Sequence, residues 1–270
     1  MKGEFMYKLL IKTALIILIT FVVSSCTATH ATQVKPNPAN VLRVGVAPYY
    51  PPIIFRQDGM IAGVEADLAQ RLAKELGKQV QFVEVRRQEL IPKLIAGKTD
   101  IIMSGMSITK ARKVRVDFAD QYLKSGLLPM MRFEDSDRYD SNESIRQEIL
   151  SIGVVAGTTS EVYIRKNFPN AVRIAAFPKA GDGAVSLKDR AIDIFVHDAP
   201  SIMWLVSENE THLTSHWEPL NTEYLAWGIR RDDQEFLNQV NGILNKWKYD
   251  GTLNRMLLKW LPAKYLEHFN

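Results

Sequence analysis

An apolar run that stops at ionisable side chains marks the first candidate site in the sequence. The segment IDIFVHDAPS, residues 192–201, is mostly apolar until it reaches His197 and Asp198, and Pro200 follows two residues later. Because Pro is favoured in the first turn of a helix, the segment predicts a strand that ends where a helix starts. Asp198 then either faces a ligand site at the strand end or caps the helix as a solvated loop residue.

The start of another predicted helix provides a second candidate. The segment TTSEVYIRKNF, residues 158–168, follows a β-rich run and opens with Thr158, Thr159 and Ser160. Backbone N–H groups at a helix N-terminus favour an anion, and hydroxyl side chains at the same place cap the helix. The two roles use the same residues, so both stay open.

The composition argues against several other kinds of site. The formal net charge is only +4, and no basic run with interleaved aromatic residues is present, so we expect no nucleic-acid partner. The spacing His212-x-x-x-His216 lacks the Glu of a metalloprotease helix, and the other histidines and the single cysteine complete no metal-ligand set. We therefore expect no metal and no cofactor.

Alternating strands and helices must position these residues. Predicted strands cover 41–47, 79–85, 99–105, 151–157, 173–177 and 192–198, and predicted helices cover 64–77, 89–97, 158–168, 181–191, 233–251 and 251–261. This order predicts an α/β fold with sheets covered by helices on both faces. Open parallel sheets bind ligands beyond the carboxyl ends of their strands, where Ser104-Gly105 and His197-Asp198 both fall. The similar segments GKTDIIMSG and DRAIDIFVHD suggest two lobes of similar topology.

The N-terminus has the pattern of an export signal. A basic start precedes a short apolar run over 14–23, and small residues lead to Cys26, the only cysteine in the chain. We expect residues 1–25 to be a lipoprotein signal peptide, Cys26 to carry a lipid anchor, and residues 26–40 to be a polar tether. The alternatives are a single anchoring helix and an unmodified signal-peptide cysteine.

Five stretches together carry a family resemblance: APYYPPIIF (47–55), GVEADLAQRLA (63–73), IIMSGMSITKARKVRVDFADQY (101–122), VVAGTTSE (154–161) and IDIFVHDAP (192–200). They resemble the bacterial extracellular solute-binding proteins of family 3, the type II periplasmic receptors that deliver amino acids to ABC transporters. The resemblance implies two lobes, each a mostly parallel sheet flanked by helices, joined by two hinge strands. It places lobe 1 at 41–121 plus 228–270, the hinge strands at 122–126 and 223–227, and lobe 2 at 127–222.

The resemblance also implies a role for individual residues. Arg112 matches the family arginine that grips the α-carboxylate of an amino acid, which suits the two parallel donors of a guanidinium. Asp198 matches the acid that pairs with the α-ammonium, and His197 stands beside it. The other implied ligand contacts are Tyr50, with Tyr49 as its local competitor, and Ser104, Gly105, Met106, Ser107, Thr158, Thr159 and Ser160.

Two positions depart from the family pattern. Ala47 stands where relatives that bind Lys, Arg or Gln carry an acid, which argues against a cationic ligand because that charge would be buried unpaired. Arg87 replaces the second aromatic residue of the pocket wall. If Arg87 points inward it could pair with an acidic or amide side chain, but it could also extend outward into solvent.

The sequence therefore predicts an exported, lipid-anchored, monomeric receptor that binds a polar L-amino acid and works with an ABC transporter permease. One alternative is an enzyme of the cyclohexadienyl or arogenate dehydratase type on the same fold, for which Glu89 and Glu223 would be the available carboxylates. Another is a ligand sensor that acts in trans. We expect no enzymatic activity.

Overall fold

The computed structural model describes residues 40–269. The expected signal peptide, the lipidated Cys26 and all of the tether before residue 40 lie outside the described residues. Within the described part of the chain, no helix combines the length and the apolar character needed to span a membrane.

The described chain folds into fifteen strands and ten α-helices. The strands are β1 (Val41–Val46), β2 (Tyr49–Tyr50), β3 (Ile54–Gln57), β4 (Met60–Ala62), β5 (Gln79–Glu84), β6 (Ile101–Ile102), β7 (Asp117–Phe118), β8 (Leu123–Ser125), β9 (Leu127–Arg132), β10 (Ser151–Val155), β11 (Arg173–Phe177), β12 (Ile194–Asp198), β13 (Leu213–Thr214), β14 (Glu223–Leu225) and β15 (Gly228–Ile229). The helices are α1 (Val64–Glu75), α2 (Leu90–Ile95), α3 (Lys110–Lys113), α4 (Asn142–Gln147), α5 (Thr159–Asn167), α6 (Ala180–Lys188), α7 (Ala199–Ser207), α8 (Gln234–Tyr249), α9 (Thr252–Leu258) and α10 (Ala263–Phe269).

Two five-stranded mixed sheets form the frame. The first has the order β5-β1-β6-β15-β7, and the second has the order β11-β10-β12-β9-β13. In each sheet the first three strands run parallel, and the fourth pairs antiparallel with both of its neighbours. We call the first sheet with its helices lobe 1 and the second sheet with its helices lobe 2.

Two short strands connect the sheets. The chain leaves the first sheet through β8 and returns to it through β14, and these strands pair with each other antiparallel, with Glu223 opposite Ser125. They lie within the ranges 122–126 and 223–227. The polypeptide therefore crosses between the lobes twice at one place.

The apolar periodicity predicts the long helices well and the short strands poorly. Helix α1 buries Val64, Leu68 and Leu72 as its spacing predicts, and the chain leaves the helix through Gly77 at a φ of 67°. The strand predicted over 99–105 is reduced to β6, because the chain turns at Gly105 with a φ of 61°. Strands β2, β3, β4 and β7 were not predicted, since two to four residues are too few to show alternation.

Arg132 is a buried cation that holds lobe 2 together. Its Nη1 donates to the carbonyl oxygens of Leu187 and Ile192 at 2.9 and 2.8 Å, and its Nε donates to Asp135 at 2.6 Å. The side chain thereby joins β9 to the end of α6 and the segment before β12.

We expect Arg132→Met to lower the free energy of unfolding by about 3–5 kcal/mol, because it leaves a carboxylate and two carbonyl groups without their hydrogen-bond donor. Urea unfolding measures this change. Arg138→Met is the matched control: Arg138 forms a largely exposed ion pair with Glu148, so its loss is expected to cost under about 1 kcal/mol. Equal losses in the two variants would contradict the role given to Arg132.

Candidate ligand site between the lobes

Asp198 is the last residue of β12 and lies buried at the carboxyl end of that strand, with only 5% of its surface exposed. Helix α7 starts at Ala199 with Pro200 in its first turn, as expected, but the Asp198 side chain does not cap it. The interpretation of Asp198 as a solvated capping residue is therefore wrong. Its Oδ1 has no hydrogen-bond partner among the described residues, and burial raises the pKa of its carboxyl group.

His197 is buried beside Asp198 and is neutral. Burial, together with the nearby Arg87 guanidinium, lowers the pKa of His197 to about 3. The imidazole packs against two rings, with centroid separations of 5.5 Å to Tyr50 and 6.1 Å to Phe195. Its Nδ1 finds no hydrogen-bond partner in the described part of the chain.

The segment after β6 supplies the facing wall from lobe 1. The Ser104 hydroxyl accepts a hydrogen bond from the backbone N–H of Ala47 at 2.9 Å. Gly105 adopts a positive φ, and a Cβ there would lie 2.3 Å from the Tyr50 ring, so only glycine fits. Ser107 forms an isolated antiparallel bridge with Leu225, which ties the segment to a crossing strand.

Arg112 differs from the cations around it. Lys110, Lys113 and Arg115 are exposed, whereas Arg112 is half-buried, and its Nη1 donates to the carbonyl oxygen of Ser107 at 2.7 Å. Burial lowers the pKa of Arg112, and repulsion from Arg87 lowers it further. The charges of Arg112 and Asp198 stabilise one another across the lobes, yet the two side chains form no ion pair with each other in the described structure.

Tyr50, not Tyr49, faces the interior. Tyr50 is fully buried, whereas Tyr49 is 49% exposed and lies under the Lys179 ammonium. The Arg87 guanidinium lies over the Tyr50 ring, 5.9 Å from its centroid. Arg87 therefore points inward, which decides between the two orientations that the sequence left open.

The start of α5 is tied to a crossing strand. Thr158 stands at the N-cap, but its hydroxyl donates to the Val155 carbonyl at 2.6 Å and contacts the Ser160 hydroxyl, so it caps no helical N–H. Thr159 donates to the Glu223 carboxylate at 2.9 Å. Burial and the nearby Asp198 charge raise the pKa of Glu223.

A cavity of about 140 Å³ opens between the lobes. Of the expected ligand contacts, the cavity is lined by Arg87, Ser104, Met106 and Arg112, and Gly157 of lobe 2 closes its far side. The cavity is not lined by Tyr50, His197 or Asp198, which form a separate buried group. Arg87 belongs to the cavity wall and also contacts this group, because its guanidinium lies over the Tyr50 ring. The structure thus places seven of the expected ligand contacts in two adjoining groups, four around the cavity and three in the buried group.

Glu65 is a buried carboxyl group that the sequence analysis missed. It lies at the start of α1 with no exposed surface, and its Oε2 accepts a hydrogen bond from the Gly105 N–H at 2.6 Å. Burial raises the pKa of Glu65 to about 8, which the nearby donors Tyr122, Gly105 and Trp227 offset only in part. An acidic residue in the first turn of a helix ordinarily indicates a favourable dipole interaction, so the position gave no signal.

The described residues contain no group of three or more His, Cys, Asp or Glu side chains placed to hold a metal ion. Glu89, one carboxylate considered for an enzyme, pairs with Arg86 at 3.1 Å. Glu223 is the other, and it lies at the interface between the lobes.

A match to a sequence profile shows which protein family this chain belongs to. The profile of the bacterial extracellular solute-binding proteins, family 3, matches residues 42–263. This chain belongs to that family. Its α/β fold of two sheets is the type II periplasmic-binding-protein fold, which confirms the expected fold class.

Known relatives of this member of family 3 bind amino acids. It is 29% identical over 243 residues to a probable histidine-binding protein of Campylobacter jejuni, covering 87% of this chain and 92% of that protein. The crystal structure of a putative ABC-transporter binding component from Wolinella succinogenes, complexed with lysine, matches with a TM-score of 0.79 and 28% identity, over 84% of this chain and 99% of the other. An ancestral amino-acid-binding protein described as a precursor of cyclohexadienyl dehydratase matches with a TM-score of 0.76 and 34% identity, over 82% and 96% of the two chains.

We expect Glu65→Gln to flatten the pH dependence of stability. The folded chain keeps the Glu65 proton up to about pH 8, whereas the unfolded chain releases it near its usual value of 4.5. Stability is therefore full below the unfolded pKa and falls as pH rises towards 8, by up to about 1.4 kcal/mol per pH unit from this group. Urea unfolding at pH 6.5 and 8.0 is expected to show a larger loss for the wild type than for the variant. Parallel pH profiles would mean that Glu65 is ionised in the folded protein.

Proposed function

We propose that this chain is the receptor of an ABC importer for a polar L-α-amino acid, which it encloses by closing its two lobes. The observation that carries the proposal is the placement of Arg112 and Asp198 on opposite lobes, Arg112 in α3 and Asp198 at the end of β12. A guanidinium and a carboxylate that influence each other's charge without pairing can take the α-carboxylate and α-ammonium of one zwitterion. The related proteins that bind amino acids support the ligand class.

Contacts between the lobes support closure about the crossing strands. The rings of Phe55 and Trp204 lie 5.5 Å apart across the lobes, and Lys179 lies 4.8 Å from the Tyr49 ring centroid. These contacts exist only when the lobes approach, so they stabilise a closed form relative to an open one. The β8–β14 pair is the place where the chain can flex, since both connections pass through it.

The anchor is a further part of the proposal. A lipid on Cys26 would hold the receptor at the outer face of the cell membrane or in the periplasm, near its permease, while the folded part acts as a monomer. Replacing Cys26 with Ser is expected to abolish incorporation of a radiolabelled fatty acid into the chain. Absence of label in the unaltered chain, or equal labelling of both, would rule out a lipid on this residue.

A dehydratase remains the second candidate, because Glu223 is a buried carboxyl group with a raised pKa beside the cleft. A general acid needs such a group within reach of its substrate. Turnover of prephenate or arogenate that disappears in Glu223→Gln would favour the enzyme. Amino-acid binding without turnover favours the receptor.

We expect Asp198→Ala to weaken amino-acid binding at least ~100-fold, since removing one partner of a desolvated charge pair costs about 3–5 kcal/mol. Titration calorimetry on chain that has been partly unfolded and refolded, to remove bound ligand, measures the dissociation constant. Asp182→Asn is the control, because Asp182 is exposed on α6 of the same lobe. If the Asp198→Ala variant binds the amino acid within a few-fold of the wild-type affinity, Asp198 does not contact the ligand.

A further inference from the structure

The cavity between the lobes has an unusual charge distribution. Three arginines line it, Arg87, Arg112 and Arg115, and none of its lining residues carries a carboxylate. The remaining lining residues are neutral, among them Met106 and Gly157. Arg87 and Arg112 are half-buried and Arg115 is exposed. A cleft surface with several cations and no anion favours an anionic ligand group.

Arg87 forms no ion pair among the described residues. Two other arginines of lobe 1, Arg86 and Arg56, form ion pairs with Glu89 and Glu84. The Arg87 guanidinium forms no hydrogen bond or ion pair with the described residues, and its one specific contact is the face of the Tyr50 ring. A half-buried guanidinium with five free donors is costly unless an acceptor reaches it.

The two carboxyl groups nearest the site make their contacts with residues other than Arg87. Glu223 accepts hydrogen bonds from Thr159 and from Asn221 and makes no ion pair with Arg87. Asp198 lies with His197 and Tyr50 and does not line the cavity. The charges of Asp198 and Arg87 attract one another, but the two side chains form no ion pair, and Asp198 is the expected partner of the ligand ammonium. With Asp198 so engaged, the cavity retains a positive charge beyond the one that a ligand α-carboxylate balances.

The apolar part of the cavity wall offers nothing to a cationic side chain. Leu90 and Met106 line the cavity and pack in one cluster with the buried Ala47, so no carboxylate stands there. The volume of about 140 Å³ corresponds to about five water molecules, which is enough for the side chain and α-carboxylate of an acidic amino acid.

From this charge distribution we propose that the ligand is an acidic L-α-amino acid, of the aspartate or glutamate class, whose side-chain carboxylate pairs with Arg87. The inference rests on the proposed receptor function. Arg112 then holds the α-carboxylate, and Arg87 binds the second carboxylate through its two parallel donors. The α-ammonium points out of the cavity towards Asp198 in the adjoining buried group.

The test compares acids with their amides. The full-length chain in mild detergent, stripped of bound ligand by partial unfolding and refolding, is titrated calorimetrically with L-glutamate, L-glutamine, L-aspartate, L-asparagine, L-lysine and L-histidine. We expect one acid to bind at least 30-fold more tightly than its amide. Arg87→Gln is expected to weaken that acid about 100-fold and to leave its amide within threefold, while Arg87→Lys retains part of the preference.

Arg86→Gln is the matched control, because Arg86 is the adjacent arginine and its side chain is 81% exposed. It is expected to leave all affinities unchanged. If Arg87→Gln weakens acid and amide equally, Arg87 serves the α-carboxylate and the inference is wrong. Tight binding of a neutral or cationic amino acid that depends on Asp198 overturns the inference but keeps the receptor. Absence of any amino-acid binding overturns both.

Discussion

The burial of charged groups between two sheets is the constraint on which the rest of the structure depends. Water stabilises an exposed charge, and a buried one needs an opposite charge or hydrogen bonds in its place. Loss of water shifts the pKa of Asp198 upward and that of Arg112 downward, so each group is pushed towards its neutral form. In the proposed receptor a zwitterion reverses both shifts, because each end of the ligand brings the missing opposite charge. Ligand binding and lobe closure are then stabilised by the same interactions.

Glu223 couples the crossing strands to this electrostatic balance. It stands in β14 and accepts hydrogen bonds from Thr159, at the start of α5, and from Asn221. A rotation of lobe 2 about the crossing strands has to strain or break the contact with Thr159. Burial and the proximity of Asp198 raise the pKa of Glu223. In the proposed receptor a ligand ammonium that neutralises Asp198 also favours ionised Glu223, which is the better acceptor for Thr159. Ligand charge and lobe position are then linked at one carboxyl group.

The sequence predicts those features that extended apolar patterns encode. The parallel strands and the long helices follow from such patterns, and the end of β12 at Asp198 follows from an apolar run that meets a charge. Arg112 could be identified only through the family resemblance, since its exposed neighbours Lys110 and Lys113 give it the local appearance of a solvated surface. The inward orientation of Arg87 depends on the position of the Tyr50 ring, which is a contact between distant segments that no local pattern contains.

Glu65 shows how a buried carboxyl group can support the residues of the site without contacting the ligand. Its hydrogen bond fixes the Gly105 backbone, Gly105 packs against the Tyr50 ring, and that ring contacts His197 of the opposite lobe. An ionised Glu65 would add a further negative charge to a region that already holds Asp198, and would favour a cation there. Because burial raises its pKa to about 8, Glu65 is mostly protonated at neutral pH and adds no charge. In the proposed receptor the preference of the cleft is then set by Arg87, Arg112 and Asp198, and Glu65, which helps to position Tyr50, adds no charge to it.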